Sequence, residues 1–373
     1  MSLKLSHSSS SRYQTCPTSY KHHYINKYRP KLQSSALCFG SSLDKAFEAM
    51  VAGQDPVAMF EKVWAFQEIN KEVTYLADSN LLAYYKSDLE MCLLGDEDKA
   101  KLNKWLADNT PETRDCITVF GEILELKETE GLKNLHPNRQ RFHNYVFWLS
   151  LRKKGLLMIE ALKTQVLPKL TKIHTTQQQI KLKMGDGSSI TGFTDLVADY
   201  GPLQNETVIF DLKTSSRAYE NDSVVKSPQL ALYVHALKDQ YQTRKAGFIV
   251  LNKAIIKNKT KACSVCNFDG TGGRHATCNN EVLPPEGKAK AVRCGGAWVE
   301  TFKPEIFVQI LVDTIPEHTE QLVVENFEEI NKAISSGVFV KNLQSCIMPY
   351  GPCSFYNLCH SGNVDDLIQM EDK

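Results

Sequence analysis

No stretch of this 373-residue sequence stays apolar long enough to cross a bilayer, which takes about 20 residues. The opening Met1-Ser2-Leu3-Lys4 and the serine-rich run after it lack the apolar segment of a secretory leader. A cytoplasmic chain with no membrane partner is expected. No G-x4-G-K-[ST] loop occurs, so the sequence carries no phosphate-loop motor. An excess of charge of either sign is missing too. With 44 Lys and Arg against 43 Asp and Glu, the formal charge is +1, and any surface for a polyanion must be a local patch.

Cysteine, by contrast, is plentiful. Eleven thiols in a reducing compartment point to metal ligation or free thiols rather than disulfides. The length suffices for one large core with insertions.

The most informative stretch runs from Gly192 to Ser215. Gly192–Tyr200 and Val208–Ser215 read as two strands, each with a lone acid, Asp195 and Asp211, among apolar residues. Side chains alternate along a strand, so Asp211 and Lys213 share one face while Val208, Phe210 and Leu212 take the other. Charges in such strands are costly unless paired or bound to metal. If Asp195 lies on a neighbouring strand, two carboxylates and an ammonium converge. Hard oxygens of that kind hold Mg or Mn, and a nearby lysine orients a nucleophile or steadies developing charge. That chemistry suits phosphodiester hydrolysis. Ser227-Pro228 then starts a helix on which Gln229 and Tyr233, four apart, share a face.

Asp195, the Asp211-x-Lys213 pair and the Gln229-x3-Tyr233 helix resemble the PD-(D/E)XK nucleases in their RecB-like branch, directly over about 178–253. The resemblance implies an α/β, restriction-endonuclease-like fold: a central mixed sheet flanked by helices. It implies Asp195, Asp211, Lys213, Gln229 and Tyr233 as the catalytic set, with Asp195, Asp211 and Leu212 toward catalytic Mg or Mn. The implied activity is metal-dependent DNA hydrolysis, as an exonuclease at ends or in single strands during recombination, repair or phage DNA metabolism. A structure-specific endonuclease and a catalytically silent nucleic-acid-binding module are the alternatives. Any helicase or recombination protein would be a separate partner.

Family members often carry Gly-x-x-x-His on an N-terminal helix. Here Gly40-Ser41-Ser42-Leu43-Asp44 puts Asp44 at that place, and aspartate suits magnesium. Ser41-x-x-Asp44 also reads as a helix cap with a first-turn acid. Glu48 is a weaker candidate ligand.

Cys16-Pro17 near the start and Cys346, Cys353 and Cys359 near the end resemble the iron–sulfur clasp of RecB-like nucleases, one cysteine before the core and three after it. Six residues rather than the family's two separate Cys346 from Cys353. The layout implies a 4Fe-4S cluster, with zinc the other metal that thiolates suit. Cys38 is an alternative to Cys16. Separately, Cys263-x2-Cys266, Cys278 and Cys294 sit in a glycine-rich loop too polar for its own core, which reads as a structural zinc site. His275 could replace one thiolate there.

The rest of the chain carries less. Ser8–Lys31 and Leu132–Gly155 mix cations with aromatics, as a groove for single strands does and as amphipathic helices with solvated cations also do. Asp55–Glu130 reads as several packing helices and Pro304–Ser335 as one long helix. Gln178–Met184 and Ser188–Tyr200 around Gly185-Asp186-Gly187 read as a hairpin, and Asp199 as a turn cap before Gly201-Pro202. Cys38, Cys92 and Cys116 read as buried small hydrophobes. The expected organisation is a helical region over 1–171, the nuclease core over 172–255, a zinc-binding insertion over 256–302, and a C-terminal helix with the clasp over 303–373.

Overall fold

The computed structural model describes residues 4–31, 33–64, 68–69, 72–73, 75–76, 151–183, 187–266, 268, 277–278, 280–282, 292–348 and 351–370. A two-residue strand, β1 (Lys4–Leu5), leads into helix α1 (His7–Thr15). The Ser6 hydroxyl accepts the Ser9 N–H and the Ser9 hydroxyl accepts the Ser6 N–H, which satisfies two otherwise orphaned donors and fixes the start of α1. Helix α2 (Ser35–Val51) and helix α3 (Pro56–Val63) follow. The Asp55 carboxylate accepts the N–H groups of Val57 and Ala58 to start α3.

The strands come next: β2 (Leu170–Lys183), β3 (Ser189–Tyr200) and β4 (Glu206–Ser215). Helix α4 (Pro228–Tyr241) starts on Ser227, whose hydroxyl accepts the Leu230 N–H. Strands β5 (Lys245–Cys263) and β6 (Trp298–Thr314) and helix α5 (Glu317–Ser335) complete the core.

The sheet is mixed, in the order β1-β3-β4-β5-β6 with β2 also on β3. Strands β4 and β5 are parallel, a pairing that needs a crossover, and α4 supplies it. Strand β2 covers one edge of β3 along its whole length, so β1 and β4 must share the other. β1 takes Ser189 and Ile190, while β4 takes Leu196 to Tyr200. The edge from 191 to 195 lies between those partners, and Asp195 stands at its upper limit.

Helices cover both faces. Val208, Phe210 and Leu212 pack with α2, α3 and a helix over 151–161. Val197, Ile209 and Val250 pack with α1, α4 and α5. Each fully buried side chain of this size contributes about 1.5–3 kcal/mol, so the sheet is held on two sides. Gly247 is required where β5 meets β6: a Cβ there would lie 2.5 Å from the Leu311 carbonyl and 2.9 Å from the Phe210 ring.

Three sequence expectations are corrected. Pro304–Ser335 is not one helix: through Thr314 it is β6, and α5 begins at Glu317. Ile306, Val308, Ile310 and Val312 pack on one core and Leu311 on the other, while the equally apolar Phe307 is exposed, so apolar residues on both faces blur the period-two alternation. Pro304 is tolerated because β6 is an edge strand. Ser41 and Asp44 do not cap a helix, because α2 begins six residues before Ser41. Asp199 does not cap a turn either. It lies in β3, accepts from Thr207 Oγ1 at 2.6 Å and meets His174 Nε2 at 2.7 Å, which holds its carboxyl below the usual range, chiefly through Thr207.

The β2–β3 hairpin forms as expected, with β2 beginning earlier, at Leu170. Of the helices expected over Asp55–Glu130, α3 is described. The remainder of that stretch beyond the short strand pieces, Cys92, Cys116, His275 and the cation-rich stretch through residue 150 lie outside the described residues. Cys38 is half-buried in α2 against the core. Among the described residues no helix is long and apolar enough to cross a membrane.

Candidate active site

Strand parity brings the predicted residues together. Leu196 pairs with Phe210 in the β3–β4 ladder, so Asp195 falls one position beyond and meets β4 where Asp211 and Lys213 stand. Asp195 Oδ2 accepts the backbone N–H of Leu212 at 2.8 Å. Lys213 Nζ lies 2.6 Å from Asp211 Oδ2 and donates to Gln229 Oε1 at 3.1 Å. Gln229 Nε2 in turn donates to the Tyr233 hydroxyl at 2.8 Å. The i,i+4 spacing on α4 thus ends a continuous polar line running from Asp211 to Tyr233. Leu212 turns its side chain into the opposite core, so only its backbone faces this cluster.

Asp44, half a helix away from any terminus of α2, joins the same electrostatic cluster. Burial pushes its carboxyl up to about 7, and the charges of Asp195 and Asp211 push the same way. Burial also raises Asp211 to about 7, against Lys213 and with Asp195. Asp195 is raised by burial as well, with the Leu212 N–H and Lys213 opposing. Burial alone would lower Lys213, but Asp211 and then Asp195 raise it on balance. Three crowded carboxylates face one ammonium. Glu48 takes no part, since it pairs with Lys45 at 2.6 Å on an exposed face.

The donor chemistry fits a divalent cation. Asp44, Asp195 and Asp211 offer hard oxygens, and their mutual repulsion is what such an ion relieves.

Three further residues reach the site without having been evident in the sequence. Gln177 Nε2 donates to Asp195 Oδ1 at 3.3 Å. Its backbone has φ +50, a left-handed conformation that a non-glycine residue adopts at a cost and that re-aims its side chain within β2. His7 follows β1 toward the shared edge of β3. Burial and then Lys213 lower its pKa, which keeps the imidazole neutral. Tyr219, in the loop between β4 and α4, is raised by burial while Lys213 and Asp211 act on it in opposite directions.

A second cluster joins the two ends of the chain. Cys16, Cys346, Cys353 and Cys359 all line one cavity of about 190 Å³. Between Cys346 and Cys353, Ile347 pairs with Pro352 and Met348 with Gly351, and the Cys353 N–H donates to the Cys346 carbonyl at 2.8 Å. The unusual spacing therefore still delivers both thiols to one place. Burial raises the Cys359 thiol, Lys341 lowers it, and the other three cysteines raise it. Contacts independent of any metal support the junction: Tyr13 donates to the Val338 carbonyl at 2.6 Å and Asn342 Nδ2 to the Thr15 carbonyl at 2.9 Å. In the basic stretch before it, Arg12 donates to Ser19 Oγ at 3.2 Å.

The third cluster sits where β5 ends opposite the start of β6, with Cys263 paired to Trp298. The sulfurs of Cys263, Cys266, Cys278 and Cys294 lie within 4.8 Å of one another. Cys263 and Cys294 are 3.5 Å apart, and Cys266 and Cys278 3.6 Å. A tetrahedral ion with bonds of about 2.3 Å sets sulfurs about 3.8 Å apart, so the set fits zinc. The Cys266 N–H, then that of Val265, favour the Cys263 thiolate and bring its pKa to about 6. A Cβ at Gly296 would lie 2.5 Å from Cys263 Sγ, so glycine is needed there. Among the described residues these four are the one set of three or more Cys, His, Asp or Glu side chains whose ligand atoms all lie within 4.8 Å of one another; the cavity-lining thiols and the three active-site carboxylates are spread wider.

A mixed sheet flanked by helices, with an acid on one strand and an acid-x-lysine on its neighbour, defines a nuclease of the restriction-endonuclease-like class. The family pattern of the PD-(D/E)XK nuclease superfamily matches residues 4–360, and the chain belongs to that superfamily. No curated protein matches it.

Proposed function

We propose that the protein is a Mg- or Mn-dependent deoxyribonuclease that hydrolyses phosphodiester bonds at DNA ends. The observation that carries this reading is the polar line Asp195–Leu212 N–H, Asp211–Lys213–Gln229–Tyr233, with Asp44 beside it. Asp44, Asp195, Asp211 and the Leu212 backbone would hold the metal. Bound there, it would activate water and screen the phosphate charge. Lys213, kept charged by Asp211 and Asp195, orients the attacking water or stabilises charge on the phosphate. Gln229 fixes the Lys213 ammonium, and Tyr233 anchors Gln229. Neutral His7 beside Lys213 adds a donor without adding a second positive charge.

The thiol clusters have structural parts in this reading. Cys16, Cys346, Cys353 and Cys359 hold an iron–sulfur cluster, 4Fe-4S by thiolate count, and tie the ends of the chain together. Cys263, Cys266, Cys278 and Cys294 hold zinc.

End-labelled linear duplex and covalently closed circular DNA, each incubated with Mg or Mn, test the function. The proposed exonuclease degrades the linear DNA and leaves the circle closed, and the Lys213→Ala protein degrades neither. Nicking of the circle would replace the exonuclease with an endonuclease. Binding without any cleavage by the metal-loaded wild type would leave a binding module.

A further inference from the structure

Strand β5 leaves the sheet. Its pairing with β4 ends at Asn252↔Ser215, yet its pairing with β6 continues from Ile255↔Ile306 to Cys263↔Trp298. At the exit the register shifts between Leu251 and Ile255, and Asn252 Oδ1 accepts the Ala254 N–H at 2.8 Å. Among the described residues no third strand pairs with this extension. The result is a two-stranded arm rooted at the end of β4 that carries Lys213. Lys253, at its base, lies 5.5 Å from the Phe39 ring on α2, the helix bearing Asp44. Eleven steps of about 3.3 Å carry β5 from Asn252 to Cys263, roughly 35 Å.

An isolated two-stranded ribbon is marginal in water. The four-thiol cluster at its tip is what can stiffen it, since ligating an ion orders the segments that supply the ligands. The charge of this segment also stands out. Residues 256–302 contain seven lysines and arginines against four acids, a surplus of three in a chain whose whole surplus is one. Lysine recurs at alternate positions 257, 259 and 261 of β5, and Arg293 is exposed beside Cys294.

We propose that this zinc-tipped arm is a duplex-DNA contact that grips the phosphate backbone about one helical turn from the cleavage site. A stiff cationic arm of roughly 35 Å matches about ten base pairs at 3.4 Å each. Duplex is stiff over about 150 base pairs, so it keeps its backbone at a fixed distance from the metal site, whereas a single strand does not. The arm reads no sequence; it positions the duplex. This inference rests on the nuclease reading of the Asp195–Asp211 site.

The test uses the full-length zinc-loaded protein with Ca in place of Mg to allow binding without cleavage. Affinity is measured between 50 and 200 mM salt for a 30-base-pair duplex, an 8-base-pair duplex and a 30-nucleotide single strand. The variant carries Lys257→Ala, Lys259→Ala and Lys261→Ala together, with its zinc content measured. On the long duplex its log–log salt slope should fall by about 2–3, at roughly 0.9 per phosphate released, so the wild type loses about 40-fold more affinity across that salt range. The short duplex and its cleavage in Mg should be unchanged, and arginine at the three positions should restore the slope. An unchanged slope on the long duplex with zinc intact would overturn the arm, as would an equal loss on the single strand. Wild-type protein that shows the arm effect yet cuts nothing in Mg would instead sink the nuclease reading and leave the arm standing.

Discussion

The Asp195 carboxylate accepts the backbone N–H of Leu212 at 2.8 Å, so an acid of β3 is bonded to the residue lying between Asp211 and Lys213. That bond locks the register of the two acids where the β3–β4 ladder stops. Asp195→Asn keeps the shape but offers the Leu212 N–H a neutral acceptor and removes the charge of one carboxylate proposed to hold the metal. Cleavage should fall at least about 10²-fold, as for loss of a group that stabilises transition-state charge, with the fold intact by circular dichroism. Wild-type rates in a folded variant would remove Asp195 from the chemistry.

Gln229 is expected to matter less. It bonds Lys213 and Tyr233 but is not one of the three carboxylates, Asp44, Asp195 and Asp211, proposed to hold the metal. Loss of a hydrogen bond to a charged group costs about 1.5–3 kcal/mol, so Gln229→Ala should slow turnover about 10- to 150-fold at unchanged metal affinity. If it instead weakened Mg binding as much as Asp211→Asn does, the division of roles would be wrong.

Crowded acids make a pH prediction. Asp44 rises from its ordinary 3.8 to about 7 on folding, so the folded protein keeps a proton that the unfolded chain releases. Metal-free stability must therefore fall as pH rises from about 4 to 7. At about 1.4 kcal/mol per unit the penalty is on the order of a few kcal/mol. Asp44→Asn should flatten that fall, melting above the metal-free wild type at pH 8 and with it at pH 4, while needing more Mg for cleavage. A melting difference that does not grow with pH would discard the Asp44 assignment.

The junction of the chain ends makes a spectroscopic one. Anaerobically purified protein should be brown and contain iron and sulfide, and Cys16→Ser should lose the colour and melt earlier, since the clasp closes a very long loop. Colourless anaerobic protein with zinc in this cavity would keep the clasp and rule out iron.

Much of the site was legible because strand parity is strict. Asp211 and Lys213 two apart on a strand, and Gln229 and Tyr233 four apart on a helix, can be assigned to shared faces before any fold is known. Gln177, His7 and Tyr219 could not be found that way. Gln177 arrives through a left-handed backbone conformation, and His7 through the parallel pairing of β1 with β3, neither of which leaves a periodic trace. β6 was hidden for a related reason: its outer face carries the apolar Phe307, which is exposed, and Leu311, which packs on the second core, so the Ile306-to-Val312 run does not alternate cleanly between apolar and polar. The set Cys263-x2-Cys266, Cys278 and Cys294 was visible in the sequence from its thiols and its glycine-rich, polar surroundings, and the four sulfurs do gather; the sequence did not show the β5–β6 pairing that sets Cys263 opposite Trp298.

Asp211 and its partners are proposed to form a metal-dependent phosphodiesterase site. Its most direct test is a Mg titration of end-labelled duplex cleavage by the wild type and by Asp211→Asn, with Mg binding measured calorimetrically on the same preparations. Saturable Mg-dependent release of label is expected from the wild type, and loss of both Mg binding and cleavage from a folded Asp211→Asn protein. Cleavage by that variant at the wild-type rate and the wild-type Mg midpoint would contradict the proposed site.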